Sequence, residues 1–149
     1  MAWQPQVWVL LGRAAGGNGQ LLALARALGW PFQTRRLVHG PLQRLPNPLL
    51  DVSLLGLDRR RSDPLEPPWP DLVLAAGRRS APVSQWIRAR SKGRARLVHL
   101  LHAQAPLERF DLVVTLPQYR LPRRENVLEL VGALNRPGPA ELEIGRAHV

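Results

Sequence analysis

The chain contains no cysteine, which excludes disulfides, thiolate metal sites and cysteine nucleophiles. Lysine is nearly missing as well: Lys92 stands alone, and arginine supplies 20 of the 21 basic residues. Aromatic residues make up only 5% of the chain, and they do not interleave with the basic clusters as a base-stacking platform requires. No apolar run approaches the roughly 18 residues that a membrane span needs. The opening stretch MAWQPQVWVLLGRAAGG lacks a basic leader, and Val7–Leu11 is too short for the apolar part of a signal peptide. A cytoplasmic protein is the expectation, with contact at the periphery of the inner membrane left open.

What is present points to one globular domain. A chain of 149 residues, 45% of them hydrophobic, can bury a core, but not comfortably two. The formal net charge is +10. The arginines are scattered over 35–36, 59–61, 78–79, 88–96 and 120–124, a bias more typical of a GC-rich genome than of a nucleic-acid surface. Nucleic acid is therefore not the expected partner. An anionic small molecule or an anionic membrane surface fits the charge.

Five or six short apolar runs read as strands, the sixth being the last of the chain. Gln6–Leu11 is the first, and Leu21, Leu24, Ala25 and Leu28 recur at helical spacing after it, with Asn18 as the expected cap. Gly29 and Pro31 stop that helix, and Phe32–Val38 reads as a second, more exposed strand, parallel to the first. His39–Pro70 is broken by seven prolines, with one or two helical turns expected over Leu49–Leu57. Leu72–Ala76 is apolar on both faces, as in a buried parallel strand. A helix follows, with Ser80 as cap, Pro82 in its first turn and Val83, Trp86 and Ile87 facing inward. Arg96–Leu101, Asp111–Leu116 and Val127–Val131 complete the set, with a short loop or helical turn over His102–Phe110. The alternation predicts an α/β fold: a Rossmann-like, open, mostly parallel sheet with helices on both faces.

Three segments carry candidate chemistry. Gly12–Gln20 (GRAAGGNGQ) is a glycine-rich turn in which Gly12, Gly16, Gly17, Asn18 and Gln20 would border a ligand, although it is neither a dinucleotide fingerprint nor a phosphate-binding lysine loop. In Asp71–Pro82 (DLVLAAGRRSAP), Gly77 permits a sharp turn, and Arg78, Arg79 and Ser80 would stand beside free N–H groups at a helix start. Leu116–Asn126 (LPQYRLPRREN) offers Pro117, Gln118, Tyr119 and Arg120 just past a buried strand. A plain βα turn, two solvated arginines and a proline-pinned surface loop are the respective alternatives. Ser80 lacks the surroundings of a nucleophilic elbow. His39, His99 and His102 do not suggest a metal site. Asp71 and Asp111 precede strands, on the edge of the sheet away from ligands. Trp8 and Trp86 are assigned to the core and Trp69 to packing the proline-rich approach. No catalytic residue is assigned.

The segments VWVLLGRAAGGNGQLLALARALG, PPWPDLVLAAGRRSAP and FDLVVTLPQYRLPRRENVLELVGAL, in this order, resemble the mitochondrial-fission "elongate mitochondria" family over about residues 6 to 142. Bacterial members are often labelled nucleoside-diphosphate-sugar epimerases, yet the Tyr-x-x-x-Lys pair of such enzymes is absent here. The resemblance implies a GT-B-like protein of two Rossmann-like domains facing a cleft, with this chain as the N-terminal, acceptor-side half. It implies a sugar nucleotide as substrate, no tightly bound cofactor, and no turnover by this half alone. A non-catalytic scaffold that binds a protein partner is the alternative. The first loop is less polar than is usual in the family: Ala14, Ala15, Gly17 and Gly19 bring no polar side chain.

On this reading residues 1–137 form the domain and 138–143 begin an interdomain linker or helix. Residues 144–149 (IGRAHV) match the translation of a common short-read sequencing adapter, so the natural chain is expected to continue.

Overall fold

The strand order of the sheet is the feature that locates everything else. In the computed structural model, which describes residues 4–130, six strands lie parallel in the order β2-β1-β3-β4-β5-β6. They are β1 (Val7–Leu11), β2 (Phe32–Arg36), β3 (Leu72–Ala76), β4 (Arg96–Leu100), β5 (Leu112–Thr115) and β6 (Val127–Glu129). The chain moves outward from β1 to β2, then returns across β1 to β3 and proceeds the other way. Order therefore reverses between β1 and β3, and open α/β sheets bind ligands at such a point, beyond the carboxyl ends of the strands.

Two helices cover opposite faces. Helix α1 (Ala15–Leu28) packs Leu21 and Ala25 against Val7, Val9 and Leu74. A four-residue helix, α2 (Asn47–Leu50), lies in the long connection after β2. Helix α3 (Gly77–Arg90) packs Ala81, Val83 and Ile87 on the other face, against Leu10, Val73 and Leu97. Adjacent strand residues point to opposite faces, so Val73 and Leu74 serve different cores. Trp8 is buried, whereas Trp86 is only half-buried. Trp69 bridges them, its ring centroid 5.9 Å from each, and anchors the proline-rich approach to β3.

Asp71 and Asp111 fasten the amino ends of the strands. Asp71 Oδ2 accepts the Gln6 N–H at 2.8 Å while Gln6 O accepts the Asp71 N–H at 2.8 Å. Asp111 repeats the device with Leu97, at 2.7 and 3.0 Å. The Gln6 N–H, and then Arg94, hold the Asp71 carboxyl below its ordinary range.

Several boundaries differ from the sequence expectation. Helix α1 starts at Ala15, so Gly16, Gly17 and Gly19 are helical, and Asn18 lies inside the first turn instead of capping it. Helix α3 starts at Gly77, whose φ of +77° makes the expected sharp turn. Ser80 is therefore no cap: its Oγ donates to Ala76 O at 2.7 Å, and Pro82 lies within the helix. The helical turn expected over Leu49–Leu57 is confined to Asn47–Leu50, preceded by a 3-10 turn over Pro41–Arg44. The linker and terminal hexapeptide assigned to 138–149 lie outside the described residues.

Candidate functional site

A cleft of about 850 Å³ opens at the point where strand order reverses. The loop after β1 and the first turn of α3 form its walls: Gly12, Arg13, Gly17 and Asn18 on one side, Gly77–Ser80 on the other. His39, Gln43 and Arg44 from the long connection close the rim. Two helix N-termini thus flank one cavity. The first-turn N–H groups of an α-helix lack intrahelical partners and carry the positive end of its dipole.

Asn18 sets the shape of the first wall. Its Nδ2 donates to Gly12 O at 2.8 Å and its Oδ1 accepts the Gly12 N–H at 2.9 Å, so one side chain fixes both polar groups of the turn. Gly17 lies on the inner side of α1, where an added Cβ would come within 3.7 Å of the Ala76 side chain. That separation is ordinary van der Waals contact, so the packing of α1 on the end of β3 does not itself require glycine there.

The two adjacent arginines separate into different roles. Arg78 donates to Gln43 O at 3.0 and 2.9 Å and to Leu45 O at 3.0 Å, tying the rim to α3. Arg79 is exposed, lines the cleft and makes no ion pair among the described residues. The carbonyls of this turn are also held. Gly77 O receives His99 Nε2 at 2.7 Å, Arg78 O receives Asn47 Nδ2 at 3.1 Å, and Arg79 O faces His39 Nε2 at 3.2 Å. A carbonyl partner fixes the Nε2–H tautomer at both histidines.

His99 is wholly buried, with Nδ1 unpartnered and its ring 5.0 Å from that of Phe110. Burial pushes it down to about 4, against the opposing pull of the Gly77 carbonyl. His39 is lowered too, by burial first, with Arg79 and Arg78 adding to it against the Arg79 carbonyl. Both rings are neutral at pH 7.

Of the expected site residues, Gly12, Gly17, Asn18, Gly77, Arg78, Arg79 and Ser80 come together here. Gly16 and Gln20 do not line the cleft, and Gln20 borders a separate crevice beside Thr115. Pro117–Tyr119 form a 3-10 turn after β5 and Arg120 has a φ of +50°. Gln118, Tyr119 and Arg120 remain outside the cleft, with the Tyr119 ring 6.2 Å from that of His102. Sequence reading missed Arg13, His39, Gln43 and Arg44. Arg13 was within the glycine-rich segment and discernible, whereas the others belong to a connection with no periodic signal.

The cleft offers cations and the N–H donors of two helix starts, and among the described residues its lining includes no carboxylate. The one imidazole in its lining, His39, is held below its ordinary range by burial, and its Nε2–H faces the Arg79 carbonyl. No helix of the described residues is long and apolar enough to cross a membrane.

No solved structure matches the chain. An uncharacterized protein of Rickettsia prowazekii (strain Madrid E) is 28% identical over 109 residues, covering 72% of this chain and 30% of that protein. The chain thus spans about three tenths of the length of the curated relative it matches. The family model described as Mitochondrial fission ELM1 matches residues 15–149, and the chain belongs to that family.

Proposed function

We propose that this chain is the anion-binding, acceptor-side domain of a GT-B-like, glycosyltransferase-like protein related to enzymes that use nucleoside-diphosphate sugars. The observation that carries the reading is the cleft at the β1/β3 reversal, bounded by the starts of α1 and α3 and lined by Arg13, Arg44 and Arg79. Phosphates and carboxylates suit such a site because guanidinium forks and first-turn N–H groups present donors to their oxygens. The lining supplies binding in place of acid–base chemistry, as suits a domain that holds a substrate while reacting groups come from elsewhere in a longer protein. No cofactor is assigned to it.

A second reading is a non-catalytic domain that docks a protein or an anionic membrane surface. Leu42, Leu49, Val52 and Leu55, exposed on the connection beside the cleft, favour it. Titration of nucleotide sugars and phosphorylated saccharides separates the two. Saturable binding that Arg79→Ala weakens supports the first reading. Absence of binding, together with a stable complex in pull-downs, supports the second.

A further inference from the structure

The cleft does not end at Arg79. Arg13, His39, Gln43 and Arg79 also line a second cavity of about 560 Å³, which runs toward the end of β2 and is completed by Arg36 and Arg61. These two arginines come from separate parts of the sequence, and a dense set of bonds brings them to one wall. The turn over 58–63 is stitched onto the end of β2. Asp58 N donates to Val38 O at 2.7 Å, and Asp63 N donates to Arg36 O at 2.8 Å. Ser62 Oγ accepts the Val38 N–H at 2.8 Å and donates to Asp58 O at 2.7 Å, and Asp63 Oδ2 accepts the Arg36 N–H at 2.7 Å.

The acids nearby are committed to backbone. Asp63 caps Arg36 N, and Asp58 Oδ1 accepts the N–H groups of Arg60 and Arg61 at 3.2 and 3.3 Å. Neither acid lines the cavity. Ion pairs among the described residues join Arg94 to Asp71, Arg96 to Asp111, Arg109 to Asp51 and Arg124 to Glu108, all away from this groove. Arg13, Arg36, Arg44, Arg61 and Arg79 thus share two joined cavities without a carboxylate partner among the described residues. Like charges on a concave wall repel one another and focus the potential on whatever enters. A single anion at the α1 and α3 starts offsets only one end of this row.

We propose that Arg36 and Arg61 form a second anionic subsite, continuous with the cleft through Arg13 and Arg79, and that the ligand is a small molecule carrying two phosphate groups. The inference rests on the anion-binding reading of the cleft and extends it. Among the described residues neither cavity has a Phe, Tyr or Trp in its lining, and the one ring present, His39, is held on the Arg79 carbonyl, so no extended stacking platform for a nucleobase is offered. The body of the ligand between its phosphates is accordingly polar and saccharide-like.

Calorimetric titration of the 149-residue chain with fructose 1,6-bisphosphate and with fructose 6-phosphate, at fixed ionic strength, tests the proposal. The bisphosphate is expected to bind about tenfold more tightly, the value of one added charge-assisted contact. The double variant Arg36→Gln/Arg61→Gln should remove that advantage and leave monophosphate binding unchanged, while Arg79→Gln weakens both. Both replaced side chains are exposed and the stitching bonds use backbone atoms, so a melting curve should confirm an intact fold. Phosphatidylcholine vesicles containing cardiolipin present a lipid-borne pair of phosphates; retention on them that the double variant loses assigns the pair to a headgroup. Equal affinity for the two sugars with no such retention, or losses in the double variant that do not distinguish one phosphate from two, overturn the second subsite and leave the cleft standing. Absence of binding to both sugars and to vesicles overturns both readings.

Discussion

Asn47 occupies the carbonyl that Pro82 leaves without a partner. Residue 82 would normally donate its N–H to the carbonyl four residues earlier, Arg78 O, but proline has none. Asn47 Nδ2 donates there instead, at 3.1 Å, and to Ala103 O at 2.8 Å. Asn47 is 5% exposed, so these bonds are made away from water. A residue in the long connection thus permits a proline inside α3.

That compensation is measurable. Asn47→Ala strands two carbonyls and should destabilise the chain by about 2 kcal/mol in urea unfolding. Pro82→Ala restores an N–H to the helix. In the Asn47→Ala background it should recover part of the loss, giving a non-zero coupling in a double-mutant cycle. Strict additivity would show the two positions to be independent.

Arg78 and Arg79 are adjacent yet should respond oppositely. Arg78→Ala removes three bonds to Gln43 and Leu45 and should cost about 2 kcal/mol of stability. Arg79→Ala should leave stability within about 0.5 kcal/mol, as for exposed positions generally. Its effect belongs to anion affinity, read by calorimetry with fructose 6-phosphate.

His99 gives stability a pH dependence of definite sign. Its folded value of about 4 lies below the ordinary 6.5, so between these limits the unfolded chain binds the extra proton. Stability therefore falls as pH drops from 6.5 toward 4, by up to about 3 kcal/mol for this group alone. His39 is shifted the same way and adds to the slope. Melting temperatures between pH 7 and 5 should decline, and His99→Gln should flatten the decline relative to its own value at pH 7.

Gly77 is a backbone requirement and not a steric one. Its φ is +77°, while an added Cβ would meet nothing within 4 Å. Gly77→Ala should cost about 1 kcal/mol, the penalty of left-handed backbone for an L-residue. A larger loss in chemical denaturation would mean that the turn itself rearranges.

The strands and the turn at Gly77 were legible because both are local: apolar runs, and a glycine where the chain must bend. Helix starts were not. Asn18 and Ser80 are residue types that favour caps, but Asn18 uses its amide to hold Gly12 and Ser80 bonds back to Ala76. Pro82 was placed in a first turn because local rules know nothing of Asn47. The partners of Arg78 lie 33 and 35 residues earlier, in a stretch whose prolines erase any periodic signal. Half of the cleft was visible in the loops after β1 and β3. Its rim depends on contacts that only the folded chain makes.

The turn stitched onto β2 has a consequence for association between molecules. An edge strand normally presents outward N–H and C=O groups that invite another strand. At Arg36 and Val38 those groups already belong to Asp58, Ser62 and Asp63. A foreign strand would have to displace that turn before pairing there, so the carboxyl end of this margin resists templated growth and intermolecular strand exchange.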